Sequence, residues 1–175
     1  MSKKVIILIE DLFEDIEVFY PFYRLKEEGF EVSVVGPEKD KVYKGKHGLT
    51  LKSDFSSDKL NVDDISAVVI CGGYAPDIMI RTKSIVDIVK EASKKSKIIA
   101  AIGHGLLILV EARVIEGKKV TGFIGAKTPM KLAGFKVIDK AVVTDGNILT
   151  SRFLDDLPEF CKTLITLINT YYKKV

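Results

Sequence analysis

Short apolar runs recur along the chain, each broken by acids or glycines and followed by apolar positions at helical spacing. Val5-Ile6-Ile7-Leu8-Ile9 is the first, a β-branched run of the kind that forms a strand buried on both faces. Glu10 and Asp11 stop it. From Glu14 to Glu28, Ile16, Phe19, Tyr20, Tyr23 and Leu25 fall at roughly helical spacing, which predicts an amphipathic helix bent at Pro21 and ended by Gly29. A strand is expected at Glu31 to Val35. The pattern returns at Ala67-Val68-Val69-Ile70-Cys71, which breaks at Gly72-Gly73 before a helix marked by Ile85, Ile88 and Val89. It returns again at Lys97 to Ile102, which breaks at Gly103-His104-Gly105 before the apolar helix Leu106 to Ala112.

Other segments are weaker. Val42 to Leu51 alternates loosely around Lys46-His47-Gly48 and reads as a small hairpin at an edge. A short strand at Lys119 to Thr121 and a helix near Ala126 to Ala133 follow. Strands at Ala141 to Thr144 and Ile148 to Ser151 flank the hairpin turn Asp145-Gly146-Asn147. A final helix, about Leu157 to Tyr172, carries Phe160, Leu164, Leu167, Ile168 and Tyr171 on one face. Strands alternating with helices predict a single α/β domain over residues 1–175, with a mainly parallel central sheet and helices on both faces. Ligands of such sheets bind outside the carboxyl ends of the strands. That leaves the turns Glu10 to Glu17, Cys71 to Asp77 and Gly103 to Gly105 as site candidates.

Composition narrows the function classes. At 175 residues and 47% hydrophobic, the chain can bury one sizeable core. Its net charge of +3 is small and scattered, which argues against nucleic-acid and membrane partners. Cys71 and Cys161 have no cysteine or histidine close in sequence to complete a zinc ribbon or a redox pair, so a reducing compartment is expected. Behind Met1-Ser2-Lys3-Lys4, the run Val5 to Ile9 is too short for a signal segment or a membrane span. A cytoplasmic protein is the expectation. Lysine far outnumbers arginine and glutamine is absent, a trend of heat-adapted proteins.

A strand that stops at Gly103-His104-Gly105 and turns at once into an apolar helix has the layout of a nucleophile elbow, where backbone amides can hold an oxyanion. The alternative is that small residues simply let strand and helix pack closely.

Several separated segments carry a more specific resemblance. They are Phe13-Glu14-Asp15-Ile16-Glu17; Tyr20-Pro21 with Arg24 to Gly29; Gly45-Lys46-His47-Gly48; Gly72-Gly73-Tyr74-Ala75-Pro76-Asp77; His104-Gly105; Gly117 to Thr121; and Asp145-Gly146-Asn147 with Thr150-Ser151-Arg152. In this order they resemble the PfpI family of the DJ-one/PfpI superfamily, within the class I glutamine-amidotransferase-like fold. The resemblance implies a three-layer flavodoxin-like sandwich, a homodimer or higher homo-oligomer, and a reactive cysteine just before the elbow histidine. Here the family's Cys-His-Gly reads Gly103-His104-Gly105, and the proline that usually follows is Leu106. Glycine has no atom to attack a carbonyl.

The resemblance assigns Glu14 to the acid beside the thiol and His104 to the neighbouring histidine. Asp77 matches a glutamate that completes the site from a neighbouring subunit, and the amides of Gly73 and of His104 or Gly105 match an oxyanion hole. Each also has a bland reading: Glu14 as a helix cap, His104 as packing, His47 as a turn or interface residue, Arg152 and Asp145 as structural pairs. Cys71 replaces the family's usual proline before the double glycine and is a low-ranking substitute nucleophile. Cys161 reads as helix filler.

Three functional readings follow. The first is a catalytically degenerate relative of cysteine-peptidase, glyoxalase or deglycase enzymes that keeps its pocket for a small molecule or peptide. The second is an active hydrolase in which Glu14 and His104 activate water, with no cofactor or metal expected. Its zinc variant would need three ligands from Glu14, His104 and Asp77 or Glu17. The third is a stress or chaperone role through exposed apolar surface.

Overall fold

The computed structural model describes residues 4–114 and 117–173. Met1 to Lys3 and the side chain of Tyr171 lie outside the described residues. Strands β1 (Lys4–Leu8), β2 (Glu31–Gly36), β6 (Ala67–Ile70) and β7 (Ile98–Ile102) form the centre of the sheet. With β5 (Phe55–Ser56), β10 (Val142–Asp145) and β11 (Ile148–Ser151), the order is β10-β11-β7-β6-β1-β2-β5. Every pairing in it is parallel except β10 with β11. The β-branched runs end up here because both faces are covered. Val5 to Leu8 and all of β6 and β7 are buried, and full burial of each valine, leucine or isoleucine among them is worth about 1.5–3 kcal/mol.

Helix α1 (Asp15–Glu27) packs on β2 and on α6 (Leu157–Lys173), which also touches β7 and β11. A second group flanks the sheet: α3 (Lys83–Lys94) against β6 and β7, with α4 (Leu106–Glu111) touching α3, α2 (Ala75–Met79) and α5 (Lys127–Leu132). Gly29 ends α1 with φ +80°, a conformation that costs glycine little.

The structure departs from the expected pattern in three places. In α1 the buried residues are Val18, Pro21 and Leu25 together with Asp15 and Glu17, whereas Ile16 and Tyr23 are exposed. Apolar residues lie all round this helix, so periodicity alone selected the wrong stripe. The hairpin β3 (Val42–Lys44) and β4 (Thr50–Lys52) is not at an edge of the main sheet but forms its own two-stranded sheet. Backbone hydrogen bonds from Leu12 N–H to the Lys44 carbonyl (2.7 Å) and from Lys46 N–H to the Phe13 carbonyl (2.9 Å) tie it to the loop after β1. Finally, β8 (Lys119–Val120) pairs in parallel with β9 (Lys136–Val137) in a second small sheet that the sequence pattern did not reveal.

Candidate functional site

The chain runs from β1 through α1 to β2 on one side and returns through β6 to the other side of β1. This reversal opens a crevice at the carboxyl ends of β1, β6 and β7, where sheets of this kind bind ligands. The three candidate turns converge there. A cleft of about 360 Å³ is lined by Glu14, Glu17, Lys46, Gly73, Tyr74, Gly103, His104, Phe123, Arg152, Phe153 and Leu154. That size is at the lower end of small-molecule sites.

The first two turns are bolted together. Phe13 and Gly73 form an isolated antiparallel bridge, with Tyr74 N–H donating to the Leu12 carbonyl at 2.9 Å and Glu14 N–H to the Gly72 carbonyl at 3.2 Å. Leu12 is held at φ +66°, a conformation that costs a non-glycine residue about 1–2 kcal/mol and persists where its surroundings demand it. At Gly73, φ is +80° and an added Cβ would lie 2.6 Å from the Leu12 carbonyl oxygen, so only glycine fits.

The third turn has elbow geometry. Gly103 adopts φ +54° at the end of β7 and opens a short 3-10 turn, Gly103–Gly105, that feeds α4. A side chain at 103 would point into the cleft: an ideal Cβ there meets Glu17 Oε1 at 3.4 Å and the Arg152 carbonyl oxygen at 3.5 Å. Gly105 is buried, and a Cβ on it would lie 2.6 Å from the Ile70 carbonyl oxygen. Its role is close packing of α4 on β6, and it does not line the cleft.

The acid beside residue 103 is therefore Glu17, where the resemblance had pointed to Glu14. Glu17 is 4% exposed, and its Oε2 accepts the Gly72 N–H at 2.6 Å. Burial pushes its carboxyl up to about 7; the Gly72 hydrogen bond opposes this, the nearby Glu14 charge adds to it and Lys46 partly offsets it. At neutral pH much of Glu17 is a carboxylic acid, able to donate as well as accept. Glu14 sits at the helix start, but its side chain makes no capping hydrogen bond. Its Oε2 accepts from Lys46 Nζ at 2.9 Å, and its Oε1 lies 3.0 Å from His47 Nε2. The hydrogen bond to Glu14 raises the Lys46 ammonium's pKa.

His104 lines the cleft with Nδ1 3.2 Å from the Gly73 carbonyl oxygen. Phe123 meets its ring edge-on at 5.1 Å between centroids. The Arg152 guanidinium is held by Asp156 at 2.9 and 3.0 Å and by Asp139 at 3.4 Å. Asp145 accepts the Lys119 N–H at 2.8 Å and pairs with Lys118, a structural role. Asp77 is exposed on α2 and is not among the cleft-lining residues.

Neither cysteine lines the cleft. Cys71 is fully buried, its thiol donates to the Glu17 carbonyl at 3.1 Å, and burial raises its pKa well above the ordinary range. Cys161 is buried in α6 and pushed up to about 12 for the same reason. A thiol that stays protonated is unreactive. Among the described residues, no group of three histidine, cysteine or carboxylate side chains stands close enough to hold a metal ion. No helix among them is long and apolar enough to cross a membrane.

Fold and site together define an α/β protein of the flavodoxin-like type, with an elbow, a buried acid and a histidine at the switch point of its sheet. Residues 3–167 match the family model described as DJ-1/PfpI family. The chain belongs to that family. It is 39% identical over 165 residues to "Deglycase PfpI" of Pyrococcus furiosus, covering 94% of this chain and 99% of that protein. It is 35% identical over 170 residues to "General stress protein 18" of Bacillus subtilis, covering 96% and 99%. Among solved structures, a two-domain protein from Anabaena variabilis with DJ-1/ThiJ/PfpI-like and ferritin-like domains superposes with a TM-score of 0.94 at 41% identity. That match covers 96% of this chain and 48% of the two-domain protein.

Proposed function

We propose that this is a DJ-1/PfpI-family protein that keeps the family's cleft for binding a small molecule or peptide and has lost nucleophilic turnover. One observation carries the reading: the elbow at residue 103 has φ +54° and a clear line to Glu17 Oε1, yet the residue is a glycine. The family pattern has a cysteine there, and no buried or cleft-lining thiol replaces it. The surrounding acid, histidine and amides have no attacking atom to serve.

The site groups of this reading are Glu17, His104 and the amides of Gly73 and His104, with Glu14 holding Lys46 at the rim. The same reading includes a single domain, a cytoplasmic location and assembly into a homodimer or higher oligomer, with Asp77 near a neighbouring subunit's cleft. The exposed apolar stripe of Ile16 and Tyr23 on α1 supports the assembly.

Glu17's carboxyl, raised to about 7 beside His104, favours one second reading, in which the two act as acid and base on a water molecule. Methylglyoxal consumption and peptide hydrolysis by the purified protein separate the readings. The binding-only reading predicts neither activity. Turnover that persists in Cys71→Ser and disappears in His104→Ala would overturn it in favour of the second.

A further inference from the structure

We propose that Cys71 is a positioning residue of the cleft: its thiol supplies the donor that Pro21 cannot give to α1, and so holds the Glu17 carboxyl over residue 103. The proposal rests on the reading of Glu17 as the site's acid and adds what keeps that acid in place.

In a regular helix each carbonyl accepts the N–H four residues on. For Glu17 that residue is Pro21, which lies inside α1 and has no N–H. The Glu17 carbonyl thus loses its helical donor in a residue that is only 4% exposed, where an acceptor without a partner is costly. Cys71, the residue after β6, fills the gap, with Sγ donating to the Glu17 carbonyl at 3.1 Å. The bond ties the first turn of α1 to the carboxyl end of β6.

The next residue completes the grip. Gly72 N–H donates to Glu17 Oε2 at 2.6 Å, and a Cβ on Gly72 would lie 2.6 Å from that same oxygen, so the acid fits only against a glycine. Residues 71 and 72 hold one glutamate twice, at its main-chain carbonyl and at its carboxyl. The same pair faces the elbow: a Cβ on Gly105 would lie 3.1 Å from the Cys71 carbonyl oxygen, and one on Gly72 3.2 Å from His104 N. Held this way, Glu17 Oε1 stands 3.4 Å from the place of a Cβ on Gly103. None of these contacts uses a side chain at 103, which is why the acid keeps its place beside a glycine.

Burial suits the thiol to this task. A protonated thiol donates and a thiolate does not. Cys71 is fully buried, and burial raises its pKa well above the ordinary range, with the nearby Glu17 charge adding to the rise. Sulfur donates weakly, but its worth here is set by the alternative, a buried carbonyl deprived of its donor.

The test reads two properties of Glu17 by NMR on the purified protein: the amide proton shift of Gly72, which reports its hydrogen bond to the carboxyl, and the titration of the Glu17 carboxyl carbon. Cys71→Ser keeps a donor and should leave both as in wild type. Cys71→Ala removes it; the Gly72 amide should move upfield, and the Glu17 titration should fall from about 7 toward 4.5 as the carboxyl leaves its buried seat. Glu14 and Lys46, the charged side chains that act on Glu17, are unchanged in both variants. Pro21→Ala restores an N–H at residue 21. In that background Cys71→Ala should recover the Gly72 shift and lose about threefold less, or better, in folding equilibrium constant than Cys71→Ala alone. If Cys71→Ala does not fold, Cys71→Thr and Cys71→Val, which differ in the hydroxyl, take the places of serine and alanine. A Gly72 amide and a Glu17 titration unmoved by loss of the donor overturn the proposal, as does a Pro21→Ala background that rescues neither. None of these readouts is an activity, so failure of the binding-only reading shows separately, as methylglyoxal turnover by the wild type.

Discussion

A Cβ placed on Gly103 would lie 3.4 Å from Glu17 Oε1, so the buried acid and the elbow residue face one another with only the side chain between them missing. Glu17 is buried with its Oε2 held by the Gly72 N–H, beside a residue that has no side chain to offer it. That arrangement has measurable consequences for stability and for chemistry.

Glu17 makes the fold pH-sensitive. Its folded pKa, about 7, lies above the ordinary value of 4.5, so the native state holds a proton that the unfolded chain releases. Its contribution is fully present below about pH 4.5 and is lost as pH rises through about 7, up to roughly 3 kcal/mol as an order of magnitude. Urea unfolding at pH 5 and pH 8 should show wild type losing stability across this window and Glu17→Gln losing much less. Equal slopes in the two proteins would refute this.

Asp15 clamps the hairpin that carries Lys46. Its carboxylate oxygens accept the His47 and Leu49 N–H groups, each at 2.9 Å, and the residue is buried. Asp15→Ala should cost about 1–3 kcal/mol by chemical denaturation and speed hydrogen exchange at His47 and Leu49. Unchanged exchange at those two amides would show that the clamp does not hold the hairpin.

The two glycines of the elbow should respond differently to alanine. Gly105→Ala drives a Cβ to 2.6 Å from the Ile70 carbonyl oxygen, a backbone clash that should cost at least about 1–3 kcal/mol. Gly103→Ala has room, and only its φ of +54° is strained, for about 1 kcal/mol. Thermal unfolding of the pair checks the order, and the reverse order would contradict the packing described.

Thiol reagents should leave the native protein untouched. Cys71 and Cys161 are buried and their thiols are held protonated. A disulfide reagent should titrate no thiol before unfolding and both in denaturant. Fast native labelling at Cys71 would restore it as a candidate nucleophile.

The central strands were legible because a strand buried on both faces must be apolar throughout, as Val5 to Ile9 and Ala67 to Cys71 are. The elbow was legible because glycines flank His104. Glu17 was not. It lies on the stripe Glu17-Pro21-Leu25 that α1 turns inward, but Ile16, Phe19, Tyr20 and Tyr23 offered a more apolar face and drew the periodicity to themselves. An acid aligned with Pro21 and Leu25, one turn after a strand end, was the available signal. Phe123 and Phe153 reach the cleft from the caps of short 3-10 turns, and Leu154 from the start of one, where no periodicity marks which way a side chain faces.

Methylglyoxal consumption by wild type and Gly103→Cys, measured side by side, bears most directly on the loss of turnover. The cleft accepts a Cβ at 103 without a steric conflict, and elbow nucleophiles tolerate the strained φ found there. Wild type should match a no-protein control, while Gly103→Cys should gain activity on the order of 10²-fold that Glu17→Ala or a thiol-blocking reagent removes. Wild-type turnover abolished by His104→Ala, or a Gly103→Cys protein with a reactive thiol and no gain, would contradict the view that a missing attacking atom is what silences this site.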